Sequence, residues 1–181
     1  MRAGKVMAVL ATVVLAAAFA PGTGASAGPW VRTASMDGDG NTNIDLAVRQ
    51  VTVTPVRAHV GDTVRVEMVI ENKAEGTATT PAEVRANGKV VGRQLFTWGT
   101  SAGDRLYRLS FGWDTRGLLP GEYRIRAVAF VWEDSSEFDN ELELKTPVVL
   151  VPPGAAFPDG QPAGGTATET DPRFGKMRPG G

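Results

Sequence analysis

Leu119-Pro120-Gly121-Glu122-Tyr123 opens the stretch of sequence that decides the fold, which continues as Arg-Ile-Arg-Ala-Val-Ala-Phe-Val-Trp to Trp132. Pro120 and Gly121 are typical of a turn. After this turn every odd position is aromatic, aliphatic or alanine, and a period of two places these side chains on one face of a β-strand. We therefore predict a strand whose buried face consists of Tyr123, Ile125, Ala127, Ala129 and Val131.

The even positions of the same strand form a face of mixed character. Arg124 and Arg126 come first, and Val128, Phe130 and Trp132 follow. Exposed apolar surface commonly marks a contact with another molecule, and Trp and Arg are enriched at binding hot spots. We predict that the three apolar residues form the centre of a partner-binding surface with the two arginines on its rim. The alternative is that a loop or a terminal segment covers this face.

Short apolar runs and period-two alternation, broken by Gly, Pro, Asn or Asp, extend over residues 43–151. This pattern predicts an all-β sandwich of seven strands. The alternation changes parity near Arg49 and Gln50, which predicts a β-bulge. Asn87-Gly88 predicts a two-residue hairpin turn. No stretch has the 3.6-residue period of an amphipathic helix.

Pro120, Gly121 and Tyr123 resemble the tyrosine corner of immunoglobulin-like sandwiches, in which a Tyr hydroxyl bonds back to the preceding loop. Over residues 44–151 the chain resembles the CARDB domain, a cell-adhesion-related module of bacteria. The stretches that carry this resemblance are Asp45-Leu46-Ala47-Val48, Val60-Gly61-Asp62-Thr63-Val64-Arg65-Val66 and Gly121-Glu122-Tyr123-Arg124-Ile125-Arg126-Ala127. The resemblance implies an immunoglobulin-like fold and a role in adhesion or scaffolding.

The N-terminus has the pattern of a secretory signal peptide. Arg2 and Lys5 precede an apolar run over residues 6–20, and Ala25-Ser26-Ala27 fits a cleavage site. We predict a signal peptide over residues 1–27. The run is shorter than the roughly 20 residues that span a membrane. We therefore expect a secreted or periplasmic protein without a transmembrane anchor in its mature chain.

Composition divides the remaining chain into three parts. Residues 28–42 and 152–181 are rich in small and polar residues and poor in large apolar ones, which is typical of segments that do not order themselves. We predict a flexible linker over residues 28–42 and a disordered tail over residues 152–181. The immunoglobulin-like domain is expected between them, over residues 43–151.

Charge and cysteine content limit the partners. The chain has no cysteine, and it has 19 basic and 20 acidic side chains. Cleavage of the signal peptide removes two basic residues, Arg2 and Lys5, and no acidic one, so the mature chain has 17 basic and 20 acidic side chains. A net charge near −3 argues against nucleic acid, whose binding needs a basic surface. We expect an extracellular or periplasmic protein as the partner, or self-association.

Two segments rich in oxygen-bearing side chains suggest calcium as a possible cofactor. Residues 37–45 place polar side chains at every second position, but Thr42 and Val48 stand where a calcium loop needs Gly and Glu. The acidic loop over residues 133–141 offers Asp134, Glu137 and Asp139 as weak metal candidates. A solvated loop is the simpler interpretation. A calcium-dependent module that binds carbohydrate or another small ligand is the alternative function.

Catalysis is the class of function that the sequence supports least. His59 is the single histidine, and it precedes the turn at Gly61-Asp62, where an exposed loop histidine is the simpler interpretation. No Gly-x-Ser-x-Gly elbow, phosphate loop or dinucleotide motif is present. We predict a secreted, non-catalytic binding or scaffolding module without a cofactor.

Overall fold

The computed structural model describes residues 45–73, 78–99, 105–130 and 139–174. Eleven β-strands lie in these ranges: β1 (Leu46–Thr54), β2 (Arg57–His59), β3 (Thr63–Asn72), β4 (Ala78–Ala86), β5 (Lys89–Trp98), β6 (Leu106–Asp114), β7 (Gly121–Tyr123), β8 (Ile125–Ala129), β9 (Glu141–Glu143), β10 (Val148–Val151) and β11 (Ala167–Thr170). The predicted signal peptide (1–27) and linker (28–42) lie outside the described residues. Within these ranges no helix is long and apolar enough to cross a membrane.

The strands form two layers. One sheet has the order β11-β1-β3-β6, and the other has the order β5-β4-β8-β9. A shorter set, β2-β10-β7, continues the second layer, because β7 leads into β8 and β9 leads into β10. Strand β1 packs across the interior against β8 and β9. The predicted immunoglobulin-like β-sandwich is confirmed. The strands outnumber the predicted seven because two expected strands are interrupted and because β2 and β11 are additional.

Two local predictions are also confirmed. The register between β1 and β3 shifts between Val48 and Gln50, so Arg49 is the extra residue of a bulge. Asn87 and Gly88 connect β4 to β5 with φ angles of 48° and 81°. These positive angles are those of the type I′ turn, whose twist matches that of the flanking strands.

The core lies between the two layers and includes the aromatic residues of β6. Trp113 and Phe111 are buried, and Tyr107 is partly buried. Tyr123 is half-buried, with its ring edge-on against Trp113 at a centroid distance of 5.4 Å. Its hydroxyl donates a hydrogen bond of 2.7 Å to the carbonyl oxygen of Leu119. The predicted tyrosine corner therefore exists, between the turn at Pro120-Gly121 and strand β7.

The C-terminal segment differs from expectation. Residues 152–174 pack on the sandwich, and β11 adds an antiparallel strand to β1. Phe157 is buried, and Thr168 bonds to Thr52 across the strand pair. The prediction of a disordered tail is wrong for these residues. Hydrogen bonds and ion pairs to the domain replace the apolar content that this segment lacks.

Candidate functional site

The outward side of the β5-β4-β8-β9 sheet carries the predicted partner-binding residues. In β8, Ile125, Ala127 and Ala129 are buried, so the alternate positions look away from the core. Register brings together Val128 of β8, Glu83 of β4 and Glu141 of β9. We call this surface the outer face, and it includes Glu83, Arg85, Arg93, Leu95, Arg126, Val128, Phe130, Glu141 and Glu143.

Phe130 is the exposed aromatic residue of the outer face. The residue is 37% exposed. The guanidinium carbon of Arg85 lies 5.2 Å from the centre of its ring, which is cation–π geometry. Its backbone is held on β4, since Phe130 N donates to Pro81 O and the Thr80 hydroxyl donates to Phe130 O. An aromatic ring and a guanidinium thus lie in contact at the surface.

The other predicted contact residues have different surroundings. Val128 lies on the outer face but is only 7% exposed, because long side chains flank it on both neighbouring strands. Arg124 is exposed but lies six residues from Phe130, about 20 Å along an extended chain. It is therefore not on the rim around Phe130. The backbone of Arg124 is held by two hydrogen bonds to Asn87, one from the Arg124 N–H to Asn87 Oδ1 and one from the Asn87 N–H to the Arg124 carbonyl oxygen. Trp132 lies outside the described residues.

The charges of the outer face are divided between its two sides. On the β4–β5 side, Arg85 and Arg93 share the buried carboxylate of Glu83 at 3.0 and 3.4 Å. On the β9 side, Arg126 bonds to both Glu141 and Glu143 at 3.1 and 2.9 Å. The hydrogen bond to Glu143 and the charge of Glu141 raise the pKa of Arg126. The first side is net positive and the second is net negative.

Sequence reasoning missed Arg85, Arg93 and Glu83. These residues belong to β4, which pairs with β8, and to β5, which pairs with β4, and a single strand does not reveal this pairing. The Asn87-Gly88 turn sets only the first pairs of the hairpin, because the register shifts between Val84 and Arg85 and the turn alone does not place Arg93 opposite Glu83. The usable signal is the alternation within β4. With Val84 and Ala86 facing the core, Glu83 and Arg85 must face outward.

The acidic loop provides one described metal candidate, Asp139. Its carboxylate is buried and lies 2.8 Å from the Lys73 ammonium and about 4 Å from the guanidinium groups of Arg49 and Arg173. These cations occupy the surroundings that a metal ion would need. Asp134 and Glu137 lie outside the described residues. Among the described residues, no group of three or more His, Cys, Asp or Glu side chains is placed to hold a metal ion.

Asp139 belongs to a larger charged cluster at one end of the sandwich. Arg49 donates to Glu71 and to Asp171, both at 2.6 Å, and Lys73 also contacts Asp45 at 2.5 Å. Burial opposes the charge of Lys73, but its hydrogen bonds to Asp139 and Asp45 outweigh this effect and raise its pKa. Burial likewise opposes the charge of Asp171, yet the donors of Arg173 and Arg49 lower its pKa. The cluster ties β1, β3 and the segments before β9 and after β11 together.

His59 contacts the C-terminal segment. Its ring nitrogen Nε2 lies 3.2 Å from the carbonyl oxygen of Ala155, and its ring stands edge-on to Phe157 at a centroid distance of 5.3 Å. A cavity of about 350 Å³ beside it is lined by Ala155, Phe157, Pro162 and neighbouring residues. The histidine therefore holds the C-terminal segment against the end of β2.

No family model and no curated protein matches the chain. The chain is similar in structure to CARDB domains. The crystal structure of the CARDB domain of the PF1109 protein from Pyrococcus furiosus, in complex with di-metal ions, is 22% identical with a TM-score of 0.49, and the match covers 61% of this chain and 96% of that one. A solution NMR structure of that domain is 21% identical with a TM-score of 0.47, and the match covers 60% and 96%. Both carry the family name that the sequence resemblance led us to expect.

Proposed function

We propose that the protein is a secreted, non-catalytic, adhesion-like module whose outer face binds a second copy of the same chain. The observation that carries the proposal is the exposed ring of Phe130 under the Arg85 guanidinium. An aromatic ring with a stacked Arg is the kind of residue pair that supplies most of the free energy of a protein contact. Secretion is supported by the signal-peptide pattern of residues 1–27.

The charge division of the outer face favours a second copy as the partner. A two-fold axis that lies in the plane of the interface, parallel to β8 and close to Phe130, would place the β4–β5 side of one copy over the β9 side of the other. Arg85 and Arg93 would then approach Glu141 and Glu143 of the second copy, while the two Phe130 rings meet near the axis. Opposite charges therefore face each other, as in interfaces with electrostatic complementarity.

Sedimentation velocity of the mature chain over a range of concentrations tests this function. We expect a monomer–dimer equilibrium that weakens at high salt, because exposed charges are screened. Phe130→Ala should weaken the dimer by about tenfold or more, as expected for a hot-spot aromatic residue. The matched control is Leu106→Ala, which removes an exposed apolar side chain from β6 of the other sheet. A chain that stays monomeric throughout, or a dimer that loses as much affinity in the control, would overturn the proposal.

The calcium-dependent alternative has less support. The Pyrococcus furiosus domain was solved with di-metal ions. In this chain, however, the described acidic candidate, Asp139, is paired with the ammonium of Lys73. Melting the mature protein with and without CaCl₂ separates the two functions, because a ligand that binds only the folded state raises the melting temperature.

A further inference from the structure

Strand β5 is the end strand of the β5-β4-β8-β9 sheet and pairs with β4 alone in the described part of the chain. It is ten residues long and contains no proline, whereas β9, at the other end of this sheet, has three residues. Leu95 of β5 is 61% exposed, more than any other large apolar residue of the described strands. A long, exposed edge strand presents unpaired backbone groups to which another strand can bond. Strand β5 is therefore a candidate docking edge.

The hydrogen bonds of β4 show which backbone groups of β5 point to the free side. The N–H and C=O of one strand residue point to the same side, and neighbouring residues alternate. Phe130 N donates to Pro81 O, so Pro81 directs its backbone carbonyl toward β8. Leu95 lies opposite Pro81. The backbone groups of Leu95 therefore point away from β4, and those of Arg93 and Thr97, two positions away on either side, do the same.

The side chains give this edge an apolar centre. Leu95, Pro81 and Phe130 lie in one row across the outer face, since Leu95 pairs with Pro81 and Pro81 bonds to Phe130. The row ends at the exposed Leu95. Beside it, Arg93 lies 3.4 Å from the carboxylate of Glu83, which offsets its positive charge. A strand that is added at this edge would thus meet an apolar residue at its middle.

A second copy of β5 fits this edge. When two copies pair antiparallel about a two-fold axis at Leu95, the two Leu95 residues stand opposite each other, and Arg93 of each copy stands opposite Thr97 of the other. Each of these pairs has its backbone groups directed to the other copy and can exchange two hydrogen bonds. The two arginines are not opposite each other, so the like-charge contact that destabilises paired strands is avoided. The edge is therefore self-complementary in its backbone, its apolar centre and its charges.

We propose that β5 is a second self-association site, at which two copies join their β5 strands antiparallel around Leu95, so that the four-stranded sheets of both copies form one continuous sheet. The apolar rows of the two copies then form a single row. The axis of this contact runs perpendicular to the sheet, so the two copies lie side by side. The edge contact does not rest on the face-to-face contact through Phe130. Fewer side chains take part in it, so we expect it to be the weaker of the two contacts.

Cysteine cross-linking of the mature chain tests the edge contact. The chain has no cysteine, so a single introduced cysteine can form a protein disulfide only with a second copy. The Cα atoms of the two Leu95 residues would lie about 5.5 Å apart, which is within the range of a disulfide. Val90→Cys is the matched control, because Val90 is 50% exposed on the same strand but would lie roughly 30 Å from its copy. With oxidised glutathione we expect Leu95→Cys to dimerise about tenfold faster than Val90→Cys or more, because the contact holds the two thiols together.

A mixture of two variants tests the register of the pairing and leaves Leu95 in place. Arg93→Cys and Thr97→Cys place their thiols opposite each other only in the mixed pair. Equal amounts of the two proteins should therefore give more mixed dimer than random pairing gives, as measured by mass spectrometry. Circular dichroism checks that each variant keeps its β-sheet signal.

The face-to-face contact would not give these products. Leu95 lies two strands away from Phe130, so the two Leu95 residues would be four strand spacings, about 19 Å, apart in that contact. Adding Phe130→Ala to Leu95→Cys should therefore leave the cross-link, and its loss would overturn the edge contact. Equal rates for Leu95→Cys and Val90→Cys, or random pairing in the mixture, would overturn it as well. Sedimentation of Phe130→Ala decides the face-to-face contact separately.

Discussion

The guanidinium of Arg49 lies 2.6 Å from the carboxylate of Asp171, although 122 residues separate them in the chain. Both side chains are almost fully buried, and the backbone N–H of Asp171 also donates to Arg49 O at 2.9 Å. The bulge in β1 places Arg49 where it also contacts Glu71. One buried cation thus joins the first strand, the third strand and the C-terminal segment.

Replacing Arg49 with Met should destabilise the protein strongly. The carboxylates of Glu71 and Asp171 would lose their shared partner, and breaking a buried ion pair on one side costs about 3–5 kcal/mol. Urea denaturation measures the loss. Asp171→Asn should cost less, because Arg49 keeps Glu71. In a double-mutant cycle the two changes should couple by about 0.5–3 kcal/mol. Additive effects would show that the pair contributes no stability of its own.

The lowered pKa of Asp171 predicts a dependence of stability on pH. The folded carboxylate binds a proton less readily than the unfolded one, so the unfolded state binds more protons in acid. The free energy of unfolding therefore decreases as the pH is lowered. The contribution of Asp171 is fully present above its unfolded pKa of about 3.9 and is lost as pH falls through the folded value. The free energy of unfolding of the wild type and of Asp171→Asn should therefore converge in strong acid. A gap that is constant with pH would contradict this prediction.

Deleting the C-terminal segment should destabilise the domain. A chain that ends at Val151 loses β11, the buried ring of Phe157 and the Asp171 partner of Arg49. Burial of a ring such as that of Phe157 stabilises by about 1.5–3 kcal/mol, before the loss of the ion pair is counted. The control is a chain that ends at Phe174, which keeps all three features. Equal urea midpoints for both chains would show that residues 152–174 are dispensable for stability.

The sequence predicted features whose cause is local. Tyr123 after Pro120-Gly121, the Asn87-Gly88 turn and the parity change at Arg49 each depend on neighbouring residues, and the structure has all three. Strand β11 has no such signal. Its residues, Ala-Thr-Glu-Thr, lack an apolar face and are held by backbone pairing with β1, by the hydrogen bond between Thr168 and Thr52 and by the anchor at Asp171. These contacts link residues more than 100 positions apart, and the alternation of apolar and polar residues within one segment does not predict such contacts.

The sequence predicted those features of the candidate site that depend on neighbouring residues in one strand. Parity within one strand correctly placed Phe130 and Val128 on the outward side. It did not indicate that the neighbouring strands bury Val128 or that Arg85 reaches Phe130. Contacts across strands depend on register, and register is a property of pairs of strands.

Tyr123→Phe tests the tyrosine corner. The hydroxyl donates to Leu119 O at 2.7 Å, and this bond lies near the surface. Water can therefore reach part of the acceptor, so the loss should be that of an ordinary hydrogen bond, about 0.5–1.5 kcal/mol. The ring keeps its contact with Trp113 in this variant. Tyr123→Ala, which also removes the ring, should lower the urea midpoint further. An unchanged midpoint for Tyr123→Phe would show that the corner does not stabilise the fold.

Gly92→Ala should strain the place where β5 meets the ring of Phe111. A Cβ atom at Gly92 would lie 2.9 Å from Cδ1 and 3.2 Å from Cβ of Phe111, closer than side chains pack. Phe111 is buried in the core, so it has little room to move. Overpacking of this kind costs about 1–3 kcal/mol. Gly112→Ala is the matched control, because its Cβ would meet only Thr63 Cγ2 at an ordinary 3.6 Å. The urea midpoint of Gly92→Ala should fall well below that of Gly112→Ala, and equal midpoints would show that β5 can move away from β6 without loss of stability.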